Sequence, residues 1–292
     1  MKMNLEDYTA LPQTVREKHP LIHCITNYVT AKDVANVVLA CGGSPIMADH
    51  PAEVKEMTRL SDCLLLNIGT PRESTLDVMI AAGMEANRLG IPVILDPVGI
   101  GSTPFRTELI QELVKKVVPT VVRGNASEIK TLLSSVTRQL INESSNNTSH
   151  LPRGVDASGE DQITEDNVSS FIEAANLLSH ITSAVVVMTG ATDIIAYHDQ
   201  IRLVKNGCPE MSQITGSGCM LDGFLAAYAA SSAKVFEAMT IATAIYGLCG
   251  ENADKKTKEC GGGSGSFHRY FMDEINLSSH SLKKGGLRIE LP

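Results

Sequence analysis

Short runs of apolar residues alternate with segments that carry helix start signals along most of the chain. The runs are rich in Val, Ile and Leu and contain few polar residues, which is typical of strands buried on both faces of a parallel sheet. Strands and helices in alternation indicate an α/β protein whose helices cover a mostly parallel central sheet. The predicted strands span residues 21–25, 44–48, 63–67, 92–96, 120–123 and 184–189.

Two Thr-Pro pairs mark the starts of predicted helices. Thr70 and Thr103 each precede a proline, which is favoured at the first helical position, and a threonine hydroxyl suits the N-cap. Glu73 stands three residues after Thr70, as a capping box requires. Further elements are predicted nearer the C-terminus: a hairpin of residues 192–197 and 200–205, and mostly helical structure over 218–246 and 267–277.

One polar segment interrupts this pattern. Residues 134–161 are rich in Ser and Asn and poor in apolar periodicity, which predicts either a surface excursion or a linker between two domains. The apolar run at 184–189 would complete the same sheet, so we favour the excursion. The prediction is a single domain over residues 1–292 with a polar surface insertion around 134–161.

Composition narrows the class of protein. The 292 residues include 25 Lys and Arg against 33 Asp and Glu, which disfavours a nucleic-acid partner, because such binding depends on basic groups that neutralise phosphates. A small anionic ligand needs only local positive groups and stays possible. The 7 cysteines show no C-x-x-C spacing, which suits free thiols in a reducing compartment. We expect a cytoplasmic protein without a membrane partner, since signal-peptide and membrane-spanning patterns are lacking.

A glycine-rich turn at the start of a predicted helix is the strongest local signal for chemistry. In Thr215-Gly-Ser-Gly-Cys219, Gly216 and Gly218 allow main-chain N–H groups to converge where the helix presents its positive end. This predicts an anion hole, although a turn that only starts a helix explains the glycines equally well. Cys219 enters the helix and is the best candidate for a reactive thiol, whereas inert packing is expected for the other cysteines.

Polar residues also stand at the ends of three predicted strands. They are Asp96, then Arg123 with Asn125 and Glu128, and then Thr189. Ligands of open parallel sheets bind at the carboxyl ends of strands, so these groups are predicted to face one crevice and to form an Mg²⁺–phosphate site. The alternative for Asn125 and Glu128 is a capping box, and for Asp96 a turn or cap.

Together these segments resemble the hydroxyethylthiazole kinases, a family within the ribokinase-like superfamily. The similarity covers nearly the whole chain in the right order, and the combination is specific although each piece is not. The resemblance implies a ribokinase-like α/β fold, with a mostly parallel central sheet and helices on both faces. The matching segments are residues 23–29, 96–99, 123–128, 188–190, 215–219 and 263–267.

The resemblance implies ATP-dependent phosphorylation of the primary alcohol of 4-methyl-5-(2-hydroxyethyl)thiazole, a step in thiamine salvage, with Mg²⁺ as the cofactor. It also implies a homotrimer with active sites at subunit interfaces. We therefore expect Asn27 and Met47 to meet Cys219 only across a subunit boundary. Asn27 and Met47 match substrate-binding positions, Gly216 matches a glycine at the hydroxyethyl end beside Gly218 in the anion hole, and Cys219 matches the catalytic position.

The remaining matches concern the nucleotide and the metal. Arg123 and Thr189, with Asn125 beside them, match positions that hold ATP phosphates. Asp96 and Glu128 match the acidic residues expected near Mg²⁺, directly or through water. The chain departs from the family over 134–151, which is longer than expected.

Two rival functions stay open. One is an ADP- or ATP-dependent NAD(P)H-hydrate dehydratase of the same fold, which the cysteine at position 219 and the small pocket with Met47 disfavour. The other is a non-catalytic thiazole- or thiamine-binding protein, which would need neither an anion hole nor an acidic pair. His23 is expected to be a satisfied polar core residue and not a catalytic one.

Overall fold

The computed structural model describes residues 10–144, 163–164, 167–281 and 286–292. Within these ranges, nine strands form one sheet in the order β2-β1-β3-β4-β5-β6-β7-β8-β9. The strands are β1 (Leu21–Ile25), β2 (Ser44–Ile46), β3 (Cys63–Asn67), β4 (Val93–Asp96), β5 (Val121–Asn125), β6 (Val185–Thr189), β7 (Asp193–Tyr197), β8 (Gln200–Val204) and β9 (Ile289–Glu290).

The sheet is parallel over its first six strands and antiparallel beyond them. Each neighbouring pair from β2 to β6 is parallel, and β7, β8 and β9 add antiparallel neighbours. The mostly parallel central sheet is therefore confirmed, and β7 and β8 form the predicted hairpin. The short edge strand β9 has no clear sequence signal.

Helices cover both faces of the sheet, as predicted. On one face α1, α2, α8, α9 and α10 contribute to one hydrophobic cluster, and on the other α3 to α7 contribute to a second. The helices are α1 (Leu11–Lys18), α2 (Ala31–Cys41), α3 (Val54–Leu60), α4 (Glu73–Leu89), α5 (Pro104–Lys116), α6 (Ala126–Ser144), α7 (Val168–Thr182), α8 (Ser217–Ser231), α9 (Val235–Glu259) and α10 (Ser264–Ser281).

The central strands are buried on both sides. In β3, Cys63 and Leu65 belong to the first cluster, whereas Leu64 and Leu66 belong to the second. All four side chains are fully buried. Burying one such leucine contributes roughly 1.5–3 kcal/mol, which explains why these strands have uninterrupted apolar sequences.

The first part of the predicted polar insertion, up to Ser144, is the end of helix α6. Helix α6 runs to Ser144, and Val136 within it is 6% exposed. Its apolar residues at Ile129, Leu132 and Val136 recur at helical spacing and pack against the sheet. Residues 145–161 lie outside the described residues, so the surface insertion and the single domain stay predictions.

The predicted helix starts had mixed outcomes. Thr103 is the N-cap of α5 and its hydroxyl accepts a hydrogen bond from the Arg106 N–H, as predicted. Thr70 does not cap α4, which begins at Glu73 after Arg72; its hydroxyl accepts the N–H of Tyr28. The expected helix over 218–246 is divided between α8 and α9. Among the helices of the described ranges, none has both the length and the apolar character needed to cross a bilayer.

Candidate active site

The carboxyl ends of five neighbouring parallel strands, from β1 to β6 across the centre of the sheet, lie side by side. Asn67 ends β3 directly opposite Asp96 at the end of β4. Arg123 lies on β5, and Thr189 ends β6. The first turn of α8 lies beside this row, and its Cys219 contacts Asn67. Parallel sheets bind ligands at this end.

Arg123 forms a buried ion cluster with two carboxylates. Its Nη1 donates to Asp96 Oδ2 at 3.3 Å, and its Nε lies 3.8 Å from Asp222 Oδ1. Its Nη2 donates to Thr189 Oγ1 at 3.1 Å. Asp96 and Asp222 are fully buried and Arg123 is 9% exposed, so these charges interact much more strongly than charges on the surface.

The members of this cluster shift one another's pKa. Burial raises the pKa of Asp96 well above its ordinary range, and the Asp222 carboxylate adds to the shift while Arg123 opposes it. Burial also raises the pKa of Asp222 to about 7, against the attraction of Arg123. Burial lowers the pKa of Arg123, but Asp222 and Asp96 together raise it above its usual value. Burial therefore favours the neutral form of both carboxyl groups, whereas Arg123 favours their charged form.

Asn67 connects this cluster to the thiol of Cys219. Its Nδ2 lies 2.8 Å from Asp96 Oδ2, 3.1 Å from Asp222 Oδ2 and 3.4 Å from Cys219 Sγ. The two hydrogens of the Asn67 amide are thus shared among three acceptor atoms. The Asn67 Oδ1 accepts the Gly69 N–H at 2.9 Å, which fixes the orientation of the amide.

Asn27 holds the same thiol from the loop after β1. Its Nδ2 donates to Asn67 Oδ1 at 3.0 Å and to Cys219 Sγ at 3.3 Å. Its Oδ1 accepts both the N–H and the hydroxyl of Thr30, at 3.1 and 3.0 Å. The expectation that Asn27 reaches Cys219 only across a subunit boundary was wrong, because β1 and β3 are neighbours and the contact forms within one chain.

The start of α8 places backbone N–H groups beside this thiol. Gly216 is the N-cap residue with φ 82°, and Cys219 lies half-buried in the first turn. The first N–H groups of a helix have no acceptor within the helix, and they favour negative charge nearby. The Tyr246 hydroxyl donates to the Ser217 carbonyl at 2.7 Å and holds this turn in place.

The two glycines of the turn are required by close packing. A Cβ on Gly216 would lie 2.5 Å from Thr30 Cγ2, and one on Gly218 would lie 2.7 Å from both Nη atoms of Arg123. The guanidinium of Arg123 therefore lies directly against the N-terminus of α8. A helix start alone would not require Gly218, so this contact favours the predicted anion hole.

Asn125 and Glu128 form the capping box that was the alternative interpretation of these residues. Glu128 Oε2 accepts the Asn125 N–H at 2.8 Å, and Asn125 Oδ1 accepts the Glu128 N–H at 2.9 Å. Glu128 Oε1 accepts the Gly99 N–H at 2.9 Å, which ties the loop after β4 to the first turn of α6. The structure thus places Glu128 beside the row of strand ends, with both carboxylate oxygens bonded to main chain.

A cleft of about 110 Å³ adjoins the cluster, and Asn67 belongs to both. Its wall includes apolar and polar side chains, which suits a small ring with heteroatoms. The lining residues are Ile25, Thr26, Tyr28, Asp49, Pro51, Asn67, Thr70, Arg72, Ser74, Thr75 and Val78.

Met47 and His23 lie near this end of the sheet in different environments. Met47 follows β2 and is 40% exposed, and it is not among the residues that line the cleft. His23 is fully buried, with Nδ1 3.0 Å from Thr58 Oγ1 and Nε2 2.7 Å from the Ala48 carbonyl oxygen. Burial lowers the pKa of His23. The interpretation of His23 as a satisfied core residue is confirmed.

Asn67 and Asp222 are the residues that sequence reasoning missed. Asp222 has a signal, since it is a carboxylate within the otherwise apolar segment Met220-Leu-Asp-Gly-Phe-Leu225, and a buried charge requires a partner. The sequence signal for Asn67 is weaker: it is the polar last residue of an apolar strand.

The cluster also has the donor atoms that a hard divalent cation prefers. Within the described residues, Asp96 Oδ1 and Asp222 Oδ1 are buried oxygens without a hydrogen-bond partner. One ligand atom each from Asp96, Asp222 and Cys219 lie within 4.8 Å of one another. Carboxylate oxygens suit Mg²⁺, so Asp96 and Asp222 fit such an ion, whereas the soft thiol of Cys219 does not. Glu128 is not part of this group.

Comparison with known proteins identifies the family. The profile of the hydroxyethylthiazole kinase family matches residues 13–280. The chain belongs to this family. A hydroxyethylthiazole kinase of Clostridium acetobutylicum is 42% identical over 272 residues, which cover 92% of this chain and 94% of that protein.

Solved structures agree with this assignment to the hydroxyethylthiazole kinase family. The hydroxyethylthiazole kinase structure from Pyrococcus horikoshii superposes with a TM-score of 0.80 at 28% identity, covering 97% of this chain and 98% of that one. A ribokinase-like superfamily protein from Enterococcus faecalis gives a TM-score of 0.57 at 14% identity, covering 90% and 89%. The second likeness concerns the fold alone, and the predicted ribokinase-like fold is confirmed.

Proposed function

We propose that this protein transfers the γ-phosphoryl group of ATP to the hydroxyethyl oxygen of 4-methyl-5-(2-hydroxyethyl)thiazole, a step of thiamine salvage. One observation carries the proposal: two asparagine amides hold the half-buried Cys219 thiol beside the buried Asp96–Arg123 pair at the start of α8. Membership of the hydroxyethylthiazole kinase family supplies the substrate class.

The cleft beside Asn67 is the proposed acceptor site. Ile25 and Val78 provide apolar surface in it, and Thr26 and Thr70 provide hydroxyl groups. Because Asn67 also contacts Cys219 Sγ, a ring in this cleft brings its side-chain alcohol next to the thiol. Asn27, Met47 and Gly216 are assigned to the substrate by the family resemblance.

The nucleotide phosphates are proposed to bind between Arg123 and the first turn of α8. A guanidinium pairs two phosphate oxygens at once, and that of Arg123 lies against Gly218. The free N–H groups of the helix start add donors for the same anion. Thr189, whose hydroxyl contacts Arg123, and Asn125 are assigned to ATP alongside it.

Mg²⁺ is the proposed cofactor, with Asp96 and Glu128 as its protein contacts. Asp96 offers a buried oxygen without a hydrogen-bond partner among the described residues, whereas both oxygens of Glu128 accept main-chain N–H groups and would act through water. When bound, Mg²⁺ supplies neutralisation of phosphate charge.

Cys219 is proposed to act as the base in its thiolate form. The hydroxyl oxygen forms a bond to the γ-phosphorus as Sγ takes the hydroxyl proton. The bond from that phosphorus to ADP breaks, and ADP keeps the electron pair. Asn27 and Asn67 hold Sγ in place through their amide N–H groups, and such positioning dominates in a loose phosphoryl-transfer transition state.

We also propose a cytoplasmic homotrimer with the acceptor site near subunit interfaces. Exposed apolar side chains support this, since Tyr28 in the cleft wall, the adjacent Val29, and Met47 after β2 are 69%, 58% and 40% exposed. Light scattering of the purified protein tests the trimer directly. A monomer with full activity would contradict it.

The deciding experiment is an ATP-consumption assay with hydroxyethylthiazole and hydroxymethylpyrimidine side by side, followed by phosphorus NMR of the products. We expect turnover only with the thiazole and a stable phosphate monoester. Release of inorganic phosphate from a nicotinamide nucleotide hydrate would indicate the dehydratase instead. Thiazole binding without ATP consumption would indicate a binding protein.

A further inference from the structure

The guanidinium of Arg106 joins the loops that follow β3 and β4. Its Nη1 donates to the carbonyl oxygens of Ile68 at 3.0 Å and Val98 at 2.9 Å. Its Nη2 donates to the Gly69 carbonyl oxygen at 2.9 Å. Ile68 and Gly69 directly follow Asn67 in the chain, and Val98 lies two residues beyond Asp96. One side chain from α5 therefore spans both loops that emerge from the cluster.

The start of α5 holds Arg106 where it can reach both loops. The Thr103 hydroxyl caps the helix by accepting the Arg106 N–H, and the Thr107 hydroxyl accepts the N–H of Gly101 in the loop after β4 at 3.2 Å. Gly99 in the same loop has φ 69°, and a Cβ there would lie 3.4 Å from Arg106 Nη1. The loop, the helix start and the guanidinium are thus packed together.

The planar guanidinium of Arg106 makes all three of these hydrogen bonds. A guanidinium presents its N–H groups in a rigid planar fork, whereas a lysine ammonium is a single point on a flexible chain. Nη1 donates to one carbonyl on each loop, and only a fork supplies a second nitrogen, Nη2, that donates to Gly69 at the same time. Hydrogen bonds from a charged donor are stronger than those between neutral groups, so three of them fix the relative position of two short loops.

We propose that Arg106 is a positioning residue that holds together the loops that follow Asn67 and Asp96, and thereby keeps these two side chains in place for catalysis. It touches neither substrate and acts through the two loops. A displacement of about 1 Å in a phosphoryl-transfer site costs on the order of 10²-fold in rate. The expected loss of kcat rests on the proposed function, whereas the expected loosening of the two loops does not.

The test compares Arg106→Ala, Arg106→Lys and the parent in kcat, in KM for both substrates and in urea unfolding. We expect kcat to fall by roughly 10-fold to 10²-fold in both variants, with KM for ATP changed less than about 3-fold.

Methylguanidinium at about 20 mM should restore kcat of Arg106→Ala several-fold by occupying the vacated space. It should not restore Arg106→Lys, whose side chain fills that space. The control is Arg88→Ala, which loses an ion pair with Glu85 on α4 and should keep the parental kcat.

Amide hydrogen exchange provides a readout that does not depend on activity. Residues 66–70 and 97–101 should exchange faster in Arg106→Ala and return towards the parent with methylguanidinium, while residues 120–125 should stay unchanged. Parental kcat in Arg106→Lys, or unchanged exchange in both loops of Arg106→Ala, would overturn the proposal. A lower kcat that methylguanidinium leaves unchanged would also overturn it. A parent that does not phosphorylate the thiazole refutes the proposed function, and the exchange data still decide the role of Arg106.

Discussion

Asn27 Nδ2 lies 3.3 Å from Cys219 Sγ, although 192 positions separate the two residues in the sequence. The contact joins the loop after β1 to the first turn of α8. Asn67 completes it by accepting from Asn27 and donating towards Cys219. The thiol is therefore oriented by two amides whose own oxygens are bonded, and this arrangement is complete within one chain.

The first prediction concerns the base. Cys219→Ala should lower kcat by roughly 10²-fold or more, the usual contribution of a positioned base. Binding of ATP, measured by calorimetry, should change little, because alanine keeps the backbone N–H groups of the helix start. Cys260→Ala is the control, since Cys260 is exposed in the loop after α9. An unchanged kcat in Cys219→Ala would leave Cys219 as a packing residue.

The second prediction concerns the contact of Gly218 with Arg123. The added methyl group of Gly218→Ala would lie 2.7 Å from the guanidinium, which must then move away from the helix start. We expect a several-fold rise in KM for ATP with a smaller change in stability, because the end of a long side chain can shift. Gly265→Ala is the matched control, as a Cβ there meets nothing within 4 Å. Equal KM values in the two variants would contradict the proposed phosphate site.

The third prediction concerns Arg123 itself. Arg123→Ala should raise KM for ATP far more than KM for the thiazole, because the guanidinium faces the proposed phosphates. It also leaves Asp96 and Asp222 buried without their cation, so unfolding should become easier by about 3–5 kcal/mol. Arg123→Lys restores charge but not the paired N–H geometry, and should recover stability more than ATP affinity. Steady-state kinetics and urea unfolding measure both effects. Equal rises in the two KM values would refute the nucleotide assignment.

The fourth prediction is a pH dependence of stability. The pKa of Asp222 is raised by burial to about 7 in the folded protein, whereas an unfolded Asp has a pKa of about 3.9. Between these values the folded state retains a proton that the unfolded state loses, so this group makes stability fall as pH rises. The slope approaches about 1.4 kcal/mol per pH unit at most.

Asp222→Asn removes this titration and keeps the shape of the side chain. Urea unfolding at pH 5, 6 and 7 should therefore show a flatter pH dependence in Asp222→Asn than in the parent. Asp77→Asn serves as the control, because Asp77 is exposed on α4. Parallel pH dependences in the parent and in Asp222→Asn would show that the carboxyl of Asp222 does not titrate in this range.

The sequence by itself determined the sheet and the region of the site. Uninterrupted apolar runs such as 63–67 predicted β3 with its observed bounds, because a strand buried on both faces needs apolar residues at every position. Since the carboxyl ends of parallel strands meet, the same patterns predicted that Asp96 and Arg123 would lie together, and Arg123 Nη1 does donate to Asp96. The motif at 215–219 predicted the glycine-rich start of α8.

Only the tertiary structure decided which side chains complete the cluster. Asn67 and Asp222 join it because strand order places β3 beside β4 and because α8 docks with its polar residue towards the strand ends. Glu128 bonds to Gly99 for the same reason, since β4 and β5 are neighbours and bring the loop after β4 beside the first turn of α6. The periodicity of apolar residues within a short segment indicates which of its residues are buried. The hydrogen-bond partner of a buried polar group depends on the packing of segments that are distant in the chain, and no local pattern contains that information.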